Sequence, residues 1–167
     1  LGAILASEFG SRVQVDKTGL DENTVVVFLS DQGGAFTNYP FRGGKLGGQT
    51  LCDGGSKVPF MVKLPKQSKQ KNIDCPVGSM DVYPTLVDLA SGGQAKITDQ
   101  KVDGLSLLPI LKGEKKEVDR EAIFLYRAYE DQYAAIRYQN YKLIANRKNY
   151  KLKYELYDLS KDVSEVN

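Results

Sequence analysis

Asp31 is the first residue of the chain whose type and position could do chemistry. It stands directly behind the apolar run Val25-Val26-Val27-Phe28-Leu29, in the segment Ser30-Asp31-Gln32-Gly33-Gly34. That run is short and rich in β-branched residues, so it reads as a strand buried on both faces, as in a parallel sheet. Ligands of open α/β sheets sit outside the carboxyl ends of the strands, which makes a carboxylate there a site candidate. A glycine-dense loop follows. Gly43-Gly44, Gly47-Gly48 and Gly54-Gly55 are interleaved with Arg42, Lys45, Asp53 and Lys57. Histidine is absent from the chain, which removes Ser-His-Asp and Cys-His arrangements and histidine zinc sites. Chemistry carried by this chain must use Asp, Lys, Arg, Tyr and amide groups. Each candidate also has a plainer role open to it: Asp is common in turns, and most lysines are solvated.

The composition bounds the class. A chain of 167 residues with 41% hydrophobic and 26% charged residues can build a core and does not read as disordered. A net charge of +2 does not point to nucleic acid or a membrane surface. No apolar run approaches the roughly 20 residues of a membrane-spanning helix. Two cysteines, Cys52 and Cys75, are too few for a disulfide framework and are expected to be free. The opening Leu1-Gly2-Ala3-Ile4-Leu5 reads as the inside of a helix rather than a start. A fragment lacking its N-terminal portion is therefore expected.

The elements that must position these residues follow in order. Leu1, Ile4, Leu5 and Phe9 have helical spacing, and Gly19 to Asn23 reads as a turn into the Val25 strand. Val58 to Val62 reads as a second strand of edge type, with Pro59 near its start. Pro65 to Pro76 is a polar, lysine-rich loop. Ser79 is placed to cap a helix over Met80–Ala90, which Gly92-Gly93 ends. Ser106 to Leu111 is a short apolar turn or helix ending at Gly113. Beyond Arg120 the pattern shifts to short strands, with Gln139-Asn140 as a hairpin turn between Tyr133–Tyr138 and Tyr141–Ala145. Tyr154 to Leu159 is a further strand. The tyrosines of this region (Tyr126, Tyr129, Tyr133, Tyr138, Tyr141) read as core and hairpin pairs. Two regions result, residues 1–116 and residues 117–167, joined in the charged run Glu114-Lys115-Lys116-Glu117.

Seven pieces of the chain, in order, resemble the C-terminal half of the sulfatases, in the alkaline-phosphatase-like superfamily. They are Ser30-Asp31-Gln32-Gly33 behind its strand, Phe41-Arg42-Gly43-Gly44-Lys45, and Asp53-Gly54-Gly55-Ser56-Lys57-Val58-Pro59. Asp81-Val82-Tyr83-Pro84-Thr85-Leu86-Val87-Asp88-Leu89-Ala90 and Asp103-Gly104-Leu105-Ser106-Leu107-Leu108-Pro109 come next. Arg137-Tyr138-Gln139-Asn140-Tyr141-Lys142-Leu143-Ile144 and Glu155-Leu156-Tyr157-Asp158-Leu159 with Asp162 close the series. The resemblance implies an α/β fold: a fragment of an alkaline-phosphatase-like sandwich with a small C-terminal antiparallel sheet subdomain.

The resemblance also implies roles. Residues 1–116 would be the C-terminal part of a sulfatase α/β catalytic domain, and the substrate a sulfated small molecule or sulfated glycan. Asp31 matches the family's metal-binding aspartate, and Gln32 stands where the family has a metal-binding Asn. Calcium accepts such carboxylate and amide oxygens together. Lys45 matches the lysine that contacts the sulfate, a cation aimed where negative charge gathers in the transition state. Arg42 is expected to brace its loop or the metal ligands, and Lys57 to support Asp53 or a neighbouring backbone carbonyl, with a loop-bracing Asp53–Lys57 salt bridge the favoured role. Tyr129-Glu130-Asp131-Gln132 falls where loops reach the pocket rim. The family's formylglycine nucleophile would lie in the N-terminal portion of the same protein, since no Cys/Ser-x-Pro/Ala-x-Arg motif occurs here. The chain alone would then be inactive. Family habit favours a periplasmic, secreted or lysosomal setting. A phosphodiesterase or phosphonate hydrolase of the superfamily, or a non-catalytic sulfated-glycan-binding remnant, are the alternative readings.

Overall fold

The computed structural model describes residues 18–46, 49–67, 71–94, 101–127 and 132–166. The helix expected over the first ten residues lies outside them. The chain forms two compact units. One holds the described residues up to Asp31 together with Val58–Asn72; the other holds Gln32–Lys57 and the chain from Ile73 onward.

The first unit is a two-stranded sheet. A 3-10 turn, Leu20–Asn23, leads into β1, Val26–Leu29. β1 pairs antiparallel with β2, Phe60–Lys63, from Val26↔Lys63 to Leu29↔Phe60. The Ser30 amide donates to the Pro59 carbonyl at 3.3 Å, and Lys63 pairs with Asp21. This corrects the expectation of a parallel strand buried on both faces. Val26 and Leu29 are exposed and Val27 and Phe28 half-buried. A short apolar run carries no signal of strand direction, which is set by the strand it pairs with, here β2.

The second unit is built on a four-stranded antiparallel sheet in the order β3-β4-β5-β6. The strands are β3 Ile123–Tyr126, β4 Gln132–Tyr138, β5 Tyr141–Lys148 and β6 Lys151–Asp158. The Gln139-Asn140 hairpin falls where the sequence puts it. β6 starts earlier than expected, because Asn149 and Tyr150 both take positive φ (51° and 62°) and turn the chain in two residues. Tyr126, Tyr138 and Tyr141 are exposed rather than core, with Tyr138 opposite Tyr141. Among the described residues the buried tyrosine is Tyr157, which packs with Leu51, Cys52, Ala135 and Ile144; Tyr129 and the Tyr133 side chain lie outside the described residues. The end of the glycine loop thus supplies part of the sheet's core. Neither cysteine is in a disulfide.

Between loop and sheet, a 3-10 turn at Ser79–Asp81 runs into a helix, Val82–Ser91. The residue that ties down its start is Asp81 rather than Ser79. The Asp81 carboxylate accepts from the Gly78 amide at 2.8 Å and the Leu105 amide at 2.9 Å, and pairs with Arg120. Burial opposes that charge, but Arg120 and the two amides outweigh it and hold the carboxyl below its ordinary range. Thr85 Oγ1 donates to the Asp81 carbonyl at 2.5 Å and accepts from the Leu107 amide at 2.8 Å. Ser106 donates to Asp88 at 2.6 Å. Gly92 ends the helix in the left-handed conformation. A short helix at Leu108–Lys112 ends the same way at Gly113.

Candidate functional site

The loop that carries Lys45 is held by Asn38. The Asn38 side-chain amide donates to the carbonyls of Gly34 (3.0 Å) and Gly43 (2.9 Å), and its oxygen accepts from the Gly34 amide at 2.8 Å. The Lys45 amide closes the loop onto the Gly34 carbonyl at 3.1 Å. This short internal ring of bonds leaves the Lys45 side chain exposed. Gln32 opens the same unit and is half-buried. The next residue, Gly33, donates to the Gly55 carbonyl at 2.9 Å, and a Cβ at Gly33 would lie 1.7 Å from the Gly54 carbonyl oxygen. Only glycine admits that approach.

Gly54 and Gly55 belong to a one-turn helix, α1, Asp53–Ser56. The Gly54 amide donates to the Arg42 carbonyl at 2.7 Å. α1 therefore braces both the Gln32-Gly33 turn and the Arg42–Lys45 stretch through backbone bonds. Asp53, at its first position, is buried against Lys142 of β5, whose ammonium lies 2.6 Å from Asp53 Oδ1 and 2.9 Å from Glu165 Oε1. Arg137 approaches the other Asp53 oxygen at 3.7 Å. This corrects the expected Asp53–Lys57 pair. Lys57 instead stands over the Phe41 ring at 4.7 Å. A lysine four residues along a one-turn helix has left it, whereas β5 brings Lys142 in from the sheet.

Arg42 braces the loop as expected. One of its guanidinium nitrogens donates to the Tyr157 hydroxyl (2.7 Å), the Glu165 carbonyl (2.9 Å) and Glu155 (3.2 Å). The Tyr157 hydroxyl in turn donates to Glu155 in a 2.8 Å bond. Burial, helped by that bond, pushes the Tyr157 hydroxyl up to about 12, so it stays protonated in use. Burial also raises the Glu165 carboxyl, against the pull of Lys142.

Lys142 and Glu165 were not among the residues singled out from sequence. Lys142 carried one signal: two residues before Ile144 on a strand, it shares that residue's inward face. Glu165 lies beyond the last strand, where no periodicity reads. Asp31 is exposed and closes the first unit, one residue before Gln32. Among the described residues, no three of His, Cys, Asp and Glu gather closely enough to hold a metal. Tyr129-Glu130-Asp131 falls outside the described residues, as does the Gln132 side chain. No described helix is long and apolar enough to cross a membrane.

Comparison with known proteins gives these residues their setting. Residues 49–167 match the family described as N-sulphoglucosamine sulphohydrolase, C-terminal. The chain is 37% identical over 117 residues to an ulvan-active sulfatase of Formosa agariphila, covering 67% of this chain and 21% of that protein. It is 32% identical over 137 residues to steryl-sulfatase of Mus musculus (75% and 21%). To N-acetylgalactosamine-6-sulfatase of Canis lupus familiaris it is 34% identical over 129 residues (74% and 24%). A Bacteroides thetaiotaomicron protein, solved in work on the metabolism of multiple glycosaminoglycans, superposes with a TM-score of 0.66 at 22% identity. That match covers 95% of this chain and 35% of the other and bears on the fold alone. An α/β chain ending in a small antiparallel sheet is thus matched to the C-terminal portion of sulphohydrolases. The chain belongs to the sulfatase family. It spans about a fifth to a quarter of the length of these three curated relatives.

Proposed function

We propose that this chain is the C-terminal portion of a sulfatase that hydrolyses sulfate esters of small molecules or glycans, with Lys45 contacting the sulfate. The observation that carries this reading is the family match over residues 49–167, joined to a lysine displayed on a loop that Asn38 and α1 hold fixed. A preorganised ammonium facing a sulfate oxygen stabilises charge that builds up as the ester bond breaks, at little cost in rearrangement. Lysine suits this because it presents a compact charge to a tetrahedral anion.

Asp31 and Gln32 would help hold a calcium ion. A carboxylate and an amide oxygen are the donors a hard cation accepts, and they fall short of the six to eight oxygens calcium takes. The remainder would come from the N-terminal portion of the same protein, which would also carry the formylglycine. When bound, the calcium supplies positive charge beside the sulfate, and the formylglycine supplies the nucleophile. The part left to this chain is to hold Lys45 and to orient two metal ligands.

The test uses the full-length protein carrying this chain, with nitrophenyl sulfate and nitrophenyl phosphate offered side by side in calcium. Sulfate release is expected, falling by roughly 10²–10³-fold in Lys45→Ala. Phosphate release with little sulfate release would move the protein to phosphodiester or phosphonate chemistry. No turnover together with no calcium binding would leave a sulfated-glycan-binding remnant.

A further inference from the structure

We infer that Glu165 is a positioning residue for the loop that carries Gln32 and Lys45, acting through Asp53 and Arg42; the inference rests on the sulfatase reading above. Glu165 is wholly buried, although it stands seven residues past the end of β6. Its side chain and its main chain each grip the loop. The carboxylate accepts from the Asp53 amide at 2.6 Å, at the start of α1, and meets Lys142 at 2.9 Å. The Glu165 carbonyl accepts from Arg42 at 2.9 Å.

From those two grips the path to the site is short and runs through backbone. α1 carries Gly54, bonded to the Arg42 carbonyl, and Gly55, bonded to the Gly33 amide beside Gln32. Lys45 follows Arg42 by three residues and is bonded to Gly34. A shift of α1 therefore moves the turn after Gln32 and the stretch before Lys45 together. The backbone at Glu165 supports the same reading. It takes φ 55°, in the left-handed region that side chains disfavour. It is held there by a turn in which Asp162 accepts from the amides of Glu165 (3.3 Å) and Val166 (2.8 Å). Strained backbone persists where the surroundings over-determine it. Here the surroundings are the groups that fix the loop.

The charges balance without the substrate. Asp53 and Glu165 are met by Lys142 and Arg137, and Glu155 by Arg42. The cluster can therefore hold its geometry while Lys45 faces an anion. Misplacement of a catalytic group by about 1 Å can cost about 10²-fold in rate.

The experiment uses the full-length protein with Glu165→Gln, Glu165→Ala, Lys45→Ala and each double variant. The amide of Glu165→Gln can still accept from the Asp53 amide but sets a donor against the Lys142 ammonium; Glu165→Ala loses both side-chain contacts and keeps only the main-chain carbonyl on Arg42. Losses in kcat of about 10-fold and about 10²-fold are expected, with KM within about twofold. On the Lys45→Ala background each further loss should shrink to the part that acts through Gln32, because coupled residues do not add. Additive losses, or a change confined to KM, would overturn the assignment. Amide hydrogen exchange reads the same point without turnover. Gly33, Lys45 and Gly54 should exchange faster in Glu165→Gln, with the Val82–Ser91 helix unchanged. Unchanged loop amides would overturn the inference, and so would loss of protection at that helix, which would make Glu165 a residue of the fold at large. If wild type releases no sulfate, the sulfatase reading fails by that result, and exchange still decides whether Glu165 holds the loop.

Discussion

Lys142 keeps its ammonium group at 1% exposure between the carboxylates of Asp53 and Glu165. Such an arrangement is stable only as a set. Taking charges out of water is costly, and removing one member leaves the others buried without compensation. Lys142→Met is expected to lower stability by about 3–5 kcal/mol, read as a shift in the urea midpoint. A loss below about 1 kcal/mol would mean that water already reaches the carboxylates. The individual residues were legible in the sequence to different depths. Asp53 and Arg42 stood out by their place among glycines, but their partners did not. Lys142 comes from a strand 89 residues further on and Glu155 from one 113 residues beyond Arg42, and no local pattern encodes such a meeting.

The Val82–Ser91 helix was legible as an element, and its end at Gly92 followed from the glycine pair. Its start is the point where residue type misleads. Ser79 is a good capping residue by type, but Asp81 has two oxygens and can bind Gly78, Leu105 and Arg120 at once. What the sequence hid is the segment pinned beside the helix. Thr85 bonds the Leu107 amide, and Gly104 lies so close that a Cβ there would be 2.0 Å from the Met80 carbonyl oxygen. Thr85→Val keeps the shape and strands that buried amide, so a loss of about 1–3 kcal/mol is expected. Its signature is faster hydrogen exchange at Leu107 with the Gly113 turn unchanged. Normal protection at Leu107 would show that another acceptor replaces the hydroxyl. For β1 the limit was different in kind. Its residues gave the strand correctly, and their uniform apolarity left its direction open.

For the molecule as a whole, the order of the elements and the mixed α/β class were legible, because each family-like segment carries its own turn chemistry and periodicity. The long-range charge pairs that join the segments were not, and they make stability depend on pH. Asp81 and Glu155 both have carboxyls held below their ordinary values of 3.8 and 4.5: burial opposes each charge, and arginine and hydrogen-bond donors outweigh it. A depressed folded pKa contributes stability that is fully present above the ordinary value and is lost as pH falls through the folded one. Glu165 has the opposite sign. Its raised value favours the folded state at low pH, and that contribution is lost as pH rises through the folded pKa. Asp81 is the cleanest place to see the acid limb, since its side chain is wholly buried while Glu155 is 23% exposed and screened. Asp81→Asn is therefore expected to be clearly less stable than wild type at pH 7. The gap should narrow as pH falls below 3.8, because wild type then loses the ionised pair that the variant never had. Urea midpoints of the two proteins from pH 7 to pH 3 measure it. A gap that stays constant across that range would mean that Arg120 contributes through packing and hydrogen bonds rather than through the Asp81 charge.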